Sequence, residues 1–315
     1  MRFGVPLPTF RQAASPDAIR QVAQRAEQLG FDGIWVSDHI VIPQSEADRF
    51  ARGFGDTTGI GSLIYEPLTV LAFAAACTSR IRLGTTVIIL PYRNPLVMAK
   101  ILSTLDVLSG GRVTAGVGVG WMEQEFAALG VPFHDRGALS DEYIEAMKAL
   151  WAQDRPAFHG QHVQFDNVGF EPKPVQKPHI PVWIGGNSRS AIRRAVALGD
   201  GWHPTRAFVQ DIKVGLEYLH ELCGQQGRDP GSLTIAARLP LKFYDGTQAE
   251  AKRRPLLGSS PKIIDEIYQY REAGVLYIVL DTFYSAAELE QETIGSILET
   301  MERFAAEVMP EFLGD

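Results

Sequence analysis

Cysteine is scarce in this chain of 315 residues, which contains only Cys77 and Cys223. Both lie in segments whose apolar residues recur with helical spacing, and so few cysteines exclude a disulfide-stapled secreted scaffold. We interpret them as buried free thiols, as expected for a cytoplasmic protein in a reducing compartment. A disulfide between them is the less favoured alternative.

Long apolar runs and basic tracts are also missing. The longest apolar run is interrupted within about ten residues, which is too short for a transmembrane helix. The sequence opens without a charged and apolar leader or a cleavage site, so we expect no export signal. Lys and Arg number 30 against 37 Asp and Glu, and no basic stripe is present. We therefore expect neither a nucleic-acid nor a membrane partner.

The chain does contain a repeated order of helix, glycine and apolar run. Helical segments end at Gly30, Gly110, Gly199 and Gly274, where a left-handed glycine releases the chain into the next run. These runs are almost entirely apolar, which is typical of parallel strands covered on both faces. The predicted strands lie near residue 5 and at 34–36, 83–90, 113–117, 180–184, 201–204, 233–243 and 275–280. The predicted helices lie at 16–29, 67–77, 95–108, 141–151, 190–198, 210–225, 261–273 and 288–308.

This alternation predicts an α/β fold, a (β/α)8 TIM barrel with insertions in its loops, as one domain over residues 1–315. A doubly wound open sheet is the alternative, but nothing marks a reversal of strand order. The residues beyond eight βα units fall at 43–65, 122–139, 154–179 and 244–260. All but 154–179 follow strands, where barrel loops build active sites, and 154–179 carries a predicted β-hairpin.

Polar residues follow the second and third predicted strands. Asp38 and His39 come directly after the second strand, at the C-terminal mouth of the barrel. A histidine oriented by a carboxylate works as a general acid or base, so both are candidate catalytic residues. In the alternative interpretation Asp38 caps the next segment and His39 packs under a loop. Thr85 and Thr86 need hydrogen-bond partners inside an apolar strand, either a ligand or the barrel backbone.

Two glycine-rich segments are candidate cofactor contacts. Residues 116–121 read GVGVGW at the end of the fourth strand, where glycine lets a flat ring or a backbone approach closely. Residues 185–188 read GGNS before a helix, where free N–H groups and the helix dipole favour a phosphate. The alternative for the second segment is an ordinary turn with a helix cap.

Weaker candidates are scattered along the chain. Arginines near predicted loop ends could hold an acidic group, although a solvated arginine is the more common case; they are Arg93, Arg136, Arg206 and Arg238. His159 and His162 have no further ligands nearby, so we expect no metal site. The sequence contains no P-loop, nucleophile elbow or zinc-protease motif.

Five ordered motifs make the chain similar to the luciferase-like monooxygenase superfamily, particularly its deazaflavin-dependent branch. They are IWVSDH at 34–39, RLGTTV at 82–87, the stretch from TLD at 104–106 through SGGR at 109–112 to GVGVGW at 116–121, PVWIGG at 181–186 and LGDGW at 198–202. The resemblance covers nearly the whole chain. It implies a TIM-like barrel that binds a flavin-type ring at its C-terminal face, and a homodimer.

The resemblance also implies roles for particular residues. Asp38 and His39 would lie beside the reactive ring. The peptide bond between Thr86 and Val87 would be cis and bulge against the ring, bending it and aiding hydride transfer. Cofactor contacts would also come from residues after the fourth and fifth strands, namely Gly118, Val119, Gly120, Gly185, Gly186, Asn187 and Ser188, the last from the cap of the following helix.

Trp121 departs from the pattern of sugar-phosphate dehydrogenases in this branch, which are expected to carry a proton-donating glutamate there. A glucose-6-phosphate dehydrogenase is therefore disfavoured. Trp121 would instead line the pocket with an apolar face and suit a less polar small-molecule substrate, or else pack into the core.

The sequence thus predicts a cytoplasmic oxidoreductase that moves a hydride between coenzyme F420 and a small organic substrate. His39 is expected to be the acid or base, with Asp38 fixing its tautomer or touching the ring. The first alternative is an FMN-dependent monooxygenase of the same superfamily, supplied with reduced flavin by a partner reductase. The second is a flavin-binding protein without turnover.

Overall fold

The computed structural model describes residues 1–10, 13–42, 63–244, 254–282 and 293–312. Its strands are Arg2–Pro6 (β1), Gly33–Val36 (β2), Arg82–Thr85 (β3), Ile88–Ile89 (β4), Val113–Gly118 (β5), Phe158–His159 (β6), Gln164–Phe165 (β7), Val182–Gly185 (β8), Gly201–His203 (β9), Thr234–Pro240 (β10), Lys242–Phe243 (β11), Leu257–Gly258 (β12) and Tyr277–Asp281 (β13). Eight parallel strands close a barrel in the order β3, β2, β1, β13, β10, β9, β8, β5, and β5 pairs again with β3. The predicted TIM barrel is confirmed.

Helices surround this barrel. They are Pro16–Leu29 (α1), Pro67–Cys77 (α2), Pro95–Ser109 (α3), Glu123–Ala128 (α4), Arg136–Ala152 (α5), Arg189–Leu198 (α6), Val209–Gln226 (α7), Ser260–Glu272 (α8) and Ile294–Glu307 (α9). Most bounds agree with the sequence to within a residue. Helix α5 begins at Arg136 rather than at 141. Of the last predicted helix, residues 288–292 lie outside the described residues.

Local capping explains where most of these helices begin and end. In α1 the Ser15 hydroxyl accepts the N–H of Ala18, and Gly30 ends the helix with φ of 85°. Gly110 and Gly274 also have positive φ. The prediction for Gly199 is wrong, because its φ of −95° is extended. Glycine is needed there for space, since a Cβ would lie 2.7 Å from Ile184 Cγ1.

Aromatic side chains fill the inside of the barrel. The rings of Trp35 and Trp183 stack with centroids 5.0 Å apart, and Tyr277 meets both edge-on. Small residues on neighbouring strands make room for them: a Cβ at Gly4 or at Gly84 would lie 2.3 Å from Trp35. The barrel is therefore a packed core, and any ligand site must lie beyond the strand ends.

The third strand is interrupted. The sequence predicts one strand over 83–90, whereas the structure has β3, then β4, then a short 3-10 turn over Leu90–Tyr92. The peptide bond between Thr86 and Val87, in the gap between the two strands, is cis, in agreement with the resemblance.

The insertions are described in part. The predicted hairpin is confirmed, since β6 and β7 pair antiparallel. Residues 122–139 hold α4 and the start of α5, and β12, from the insertion at 244–260, pairs with β11. Of the insertion at 43–65 the structure describes only its last residues, from Leu63.

The two cysteines are free. Cys223 is buried as expected, but Cys77 at the end of α2 is only half-buried, so that part of the prediction is wrong. Among the described helices, none combines the length and the apolar character needed to cross a membrane.

Candidate active site

Residues from opposite sides of the barrel meet at the C-terminal strand ends. Arg238 on β10 donates from Nη1 to the Ser37 hydroxyl (3.0 Å) after β2 and to the Thr86 carbonyl (2.6 Å) after β3. Its Nε also donates to Asp281 Oδ2 at 2.8 Å, on β13. The segment that carries Asp38 and His39 is therefore tied into the mouth of the barrel, where the strand order placed it.

Asp38 is held by an arginine. Arg93 donates to both carboxylate oxygens, at 2.6 and 2.8 Å, and the N–H of Ile89 donates to Oδ2 at 2.9 Å. Arg93 also reaches Glu66 at 3.0 Å. Burial works against the charge of Arg93, but its hydrogen bonds and attraction to Asp38 raise its pKa. Asp38 thus belongs to a buried ion pair, in which its oxygens are committed to Arg93 and Ile89.

The carboxylate that orients His39 is Glu125 rather than Asp38, which is a correction to the sequence analysis. Nδ1 of His39 lies 2.7 Å from Glu125 Oε2. Glu125 sits on α4 with no exposed side-chain surface, and its Oε1 accepts the N–H groups of Ile40 and Val41 at 2.7 and 3.2 Å. The one signal for Glu125 was its place in an insertion after a strand, because no motif spacing links it to His39.

The protonation of Glu125 follows from these contacts. Burial by itself would raise its pKa, but hydrogen bonding and attraction to His39, the N–H of Ile40 and the Tyr92 hydroxyl (2.8 Å) together lower the pKa. Burial and the negative charge of Glu125 raise the pKa of Tyr92, which therefore stays a donor. Glu125 is thus an ionised acceptor.

Trp121 lies beside His39. Their rings meet edge-on with centroids 6.3 Å apart. The residue is 53% exposed, so core packing, one of the two interpretations of Trp121, is wrong. Trp121 therefore presents apolar surface to solvent next to His39.

Thr85, the last residue of β3, and Thr86, which follows it, have different hydrogen-bond partners. The Thr85 hydroxyl donates to the Gly116 carbonyl (2.7 Å), as in the backbone-bonding alternative. The Thr86 hydroxyl lies 2.8 Å from Nε2 of His203, whose Nδ1 bonds the Ala236 carbonyl. Burial lowers the pKa of His203 to about 4, so the ring is neutral and accepts from Thr86.

The glycines at the ends of β5 and β8 lie against side chains of the protein. A Cβ on Gly118 would lie 2.6 Å from Val87 Cγ2, and one on Gly185 would lie 2.6 Å from Val87 Cγ1. Gly120 has φ of 79°, and its Cβ would lie 2.7 Å from Ile89 Cγ2. Glycine at these positions makes space for the side chains of Val87 and Ile89, and the contact of the same glycines with a cofactor ring stays a prediction.

The GGNS turn forms the capped N-terminus of α6. The Asn187 side chain exchanges two hydrogen bonds with the backbone of Thr205 (2.8 and 2.9 Å), and the Ser188 hydroxyl caps α6. The Gly186 N–H donates to the His203 carbonyl at 3.2 Å. Within the described part of the chain, the N–H groups of Arg189 and Ser190 in the first turn have no acceptor, so donors suited to a phosphate remain there.

The remaining candidates are less informative. Arg136 stacks on the Phe133 ring, with Cζ 3.9 Å from the centroid, and Arg206 is joined to Arg238 through a backbone hydrogen bond. Of the histidines in the hairpin, His159 is in β6 and His162 is in its turn. The described residues contain no group of three or more His, Cys, Asp or Glu that could hold a metal ion.

Two further hydroxyls at the barrel mouth were missed by sequence reasoning. Thr9 follows β1 and Thr282 follows β13, and these strands are paired. Both side chains are buried, and among the described residues neither Oγ1 has a hydrogen-bond partner. Unpartnered buried hydroxyls are uncommon in proteins.

The closed barrel, with His39 bonded to buried Glu125 at its mouth, defines the class of protein as an α/β barrel with a polar cluster at the C-terminal ends of its strands. The chain belongs to the luciferase-like monooxygenase family, whose profile matches residues 1–309. An uncharacterised protein of Mycobacterium tuberculosis is 37% identical over 73% of this chain and 80% of its own length. The FMNH2-dependent dimethylsulfone monooxygenase of Pseudomonas putida is 31% identical over 67% of this chain and 54% of its own length.

Solved structures share the fold across the whole chain. Monooxygenase RslO1 from Streptomyces bottropensis has a TM-score of 0.82 at 23% identity, covering 99% of this chain and 100% of its own. The coenzyme F420-dependent tetrahydromethanopterin reductase of Methanopyrus kandleri has a TM-score of 0.75 at 19% identity, covering 99% of each chain. An F420-dependent secondary alcohol dehydrogenase has a TM-score of 0.76 at 18% identity, covering 98% of each chain.

Proposed function

We propose that this protein is an oxidoreductase that transfers a hydride between coenzyme F420 and a small organic substrate at the C-terminal mouth of the barrel. The observation that carries the proposal is His39, held by buried Glu125 beside the exposed ring of Trp121. Hydride transfer to or from a carbon that bears oxygen needs a proton donor or acceptor at that oxygen, and an oriented histidine meets this need.

The residues present fit a phosphorylated, ring-bearing cofactor. The free N–H groups in the first turn of α6 suit its phosphate, close to Asn187 and Ser188. Trp121 and Val119 offer apolar surface at the strand end. When bound, a deazaflavin supplies the ring carbon that gives or takes the hydride.

The protein's own part in the reaction is acid–base chemistry and positioning. If the substrate is an alcohol, His39 would take the proton of its hydroxyl group as the alcohol is oxidised. In the reverse direction His39 returns that proton to the carbonyl oxygen. Asp38, which is next to His39 in the chain, bonds both Arg93 and the N–H of Ile89. These bonds hold the backbone that carries His39 in place.

The alternative is an FMN-dependent monooxygenase that receives reduced flavin from a reductase and uses oxygen. It is supported by the 31% identity to the P. putida FMNH2-dependent enzyme. The same phosphate donors and apolar wall would serve either cofactor.

Titration of the purified apoprotein with coenzyme F420, FMN and reduced FMN, followed by intrinsic fluorescence, distinguishes the two. We expect saturable binding of F420 and weaker binding of both flavins. Tight flavin binding with no response to F420 would overturn the choice of cofactor. Binding of neither would remove the proposal.

His39→Ala tests the catalytic assignment. We expect turnover to fall by about 10²–10⁴-fold, the range that a positioned acid or base supplies, with cofactor affinity unchanged. Asn187→Ala serves as the matched variant, because it should weaken cofactor binding while leaving the proton step intact. Unchanged turnover in His39→Ala would move the proton step to another group.

We also propose that two copies of the chain associate through α2 and α3. On α3 the exposed apolar side chains include Val97, Ile101 and Leu108, spaced four and seven residues apart, and the neighbouring helix α2 carries exposed Phe73. A second copy of the chain that covers these side chains would remove their apolar surface from water. Leu108→Glu should give a monomer in sedimentation velocity, whereas Val214→Glu, at an equally apolar exposed site on α7, should not.

A further inference from the structure

Glu125 connects three separate parts of the barrel mouth. From α4, its two carboxylate oxygens contact His39, the backbone of residues 40 and 41, and the Tyr92 hydroxyl, all between 2.7 and 3.2 Å. A carboxylate with no exposed surface and this many partners is fixed in position. His39 therefore meets an acceptor that cannot rotate away.

The chemistry of the carboxylate then determines which nitrogen of His39 carries the proton. The contacts of Glu125 favour its ionised form, which accepts hydrogen bonds and has none to donate. Tyr92 donates its own proton to the same oxygen, so it does not supply one to His39. The short contact at Nδ1 must therefore be an N–H donated by His39.

We propose that Glu125 is the positioning residue of the site: it holds His39 with Nδ1–H directed at its carboxylate, so that Nε2 is the atom that accepts and returns the substrate proton. The proton leaves the substrate oxygen for Nε2 to give an imidazolium, while Nδ1–H stays bonded to Glu125. The kinetic consequence rests on the proposed function, but the tautomer does not.

The other charged groups around His39 are consistent with this assignment. Asp38 is occupied by Arg93 and the N–H of Ile89, so it is not the partner of Nδ1. The rings of Trp121 and His39 are nearly perpendicular, and the indole carries no charge. Among the described residues, Glu125 is therefore the carboxylate that determines the tautomer.

Long-range ¹H–¹⁵N spectra of protein labelled with [¹⁵N]histidine, without cofactor, test the tautomer directly; His39→Gln assigns the signals. At a pH where His39 is neutral, we expect Nδ1 to show the shift of a protonated nitrogen and Nε2 that of an unprotonated one. The opposite pattern in the wild-type protein would overturn the proposal whether or not any variant folds.

Glu125→Gln and Tyr92→Phe form the kinetic test with the holoenzyme. Glu125→Gln should lower kcat by about tenfold or more while the cofactor Kd is unchanged, because an amide fixes neither tautomer nor charge. Tyr92→Phe removes one hydrogen bond from the same carboxylate and should change kcat by less than about threefold. Equal losses in both variants would overturn the role in positioning. A correct tautomer in a protein that does not bind F420 would remove only the proposed function.

Discussion

The hydroxyl of Thr86 and Nε2 of His203 lie 2.8 Å apart inside the barrel mouth, and because burial keeps His203 neutral, Nε2 accepts the hydroxyl proton of Thr86. Its other nitrogen bonds the Ala236 carbonyl, so neither ring nitrogen faces water. The Thr86 carbonyl accepts hydrogen bonds from Arg238 and from the Ser37 hydroxyl. The segment after β3 is therefore held by partners on β9, on β10 and directly after β2.

This histidine makes stability depend on pH. Burial lowers the folded-state pKa of His203 from 6.5 to about 4, so below pH 6.5 the unfolded chain binds a proton that the folded chain does not. The contribution of neutral His203 is complete above pH 6.5 and is lost as the pH falls toward 4, by about 3 kcal/mol in all. Urea unfolding at pH 7.5 and pH 5 should show about 2 kcal/mol of this loss. In His203→Gln, whose amide can bond both neighbours, the pH slope should flatten; an unchanged slope would contradict the assignment.

Removing Arg93 should destabilise the protein. Arg93→Ala leaves the Asp38 carboxylate buried without its partner, which costs about 3–5 kcal/mol for a buried pair. The free energy of unfolding in urea measures the loss. The double variant Asp38→Asn with Arg93→Ala should recover part of it, because no buried charge remains. Additive losses in the double variant would show that the pair does not interact as described.

The glycines around Val87 give a steric prediction. Gly118→Ala places a Cβ 2.6 Å from Val87 Cγ2, so we expect a loss of about 1–3 kcal/mol from overpacking. Adding Val87→Ala should restore most of the stability, because the clashing methyl group is then absent. Gly224→Ala is the control: it lies in α7 with nothing within 4 Å, and should stabilise by about 0.5–1 kcal/mol. A neutral Gly118→Ala would show that the space is open.

Thr9 and Thr282, whose hydroxyls have no partner in the part of the chain that the structure describes, predict a gain in stability when these hydroxyls are removed. Thr9→Val and Thr282→Val should each raise the free energy of unfolding of the ligand-free protein by about 1 kcal/mol, because a buried hydroxyl without a partner is costly. Thermal unfolding measures this gain. Thr69→Val, at an exposed hydroxyl that bonds Glu66, should instead be neutral or destabilising. Destabilisation by both buried substitutions would indicate partners for these hydroxyls.

The sequence by itself determined the barrel and where its mouth lies. Apolar runs released at Gly30, Gly110 and Gly274 fix the alternation of helix and strand, and such runs bury only in a parallel sheet covered on both sides. The same periodicity put Asp38 and His39 at the C-terminal strand ends. These features could be predicted because they depend on residues close together in the chain.

Tertiary structure alone decided which groups at the mouth interact. Glu125 is 86 residues from His39, and Arg238 is 152 residues from Thr86, so no local pattern pairs them. It also decided that Gly118 and Gly185 make room for Val87, because that space exists only when three strands meet. Partners on separate strands are brought together by barrel closure, and the chemistry of this site depends on that closure.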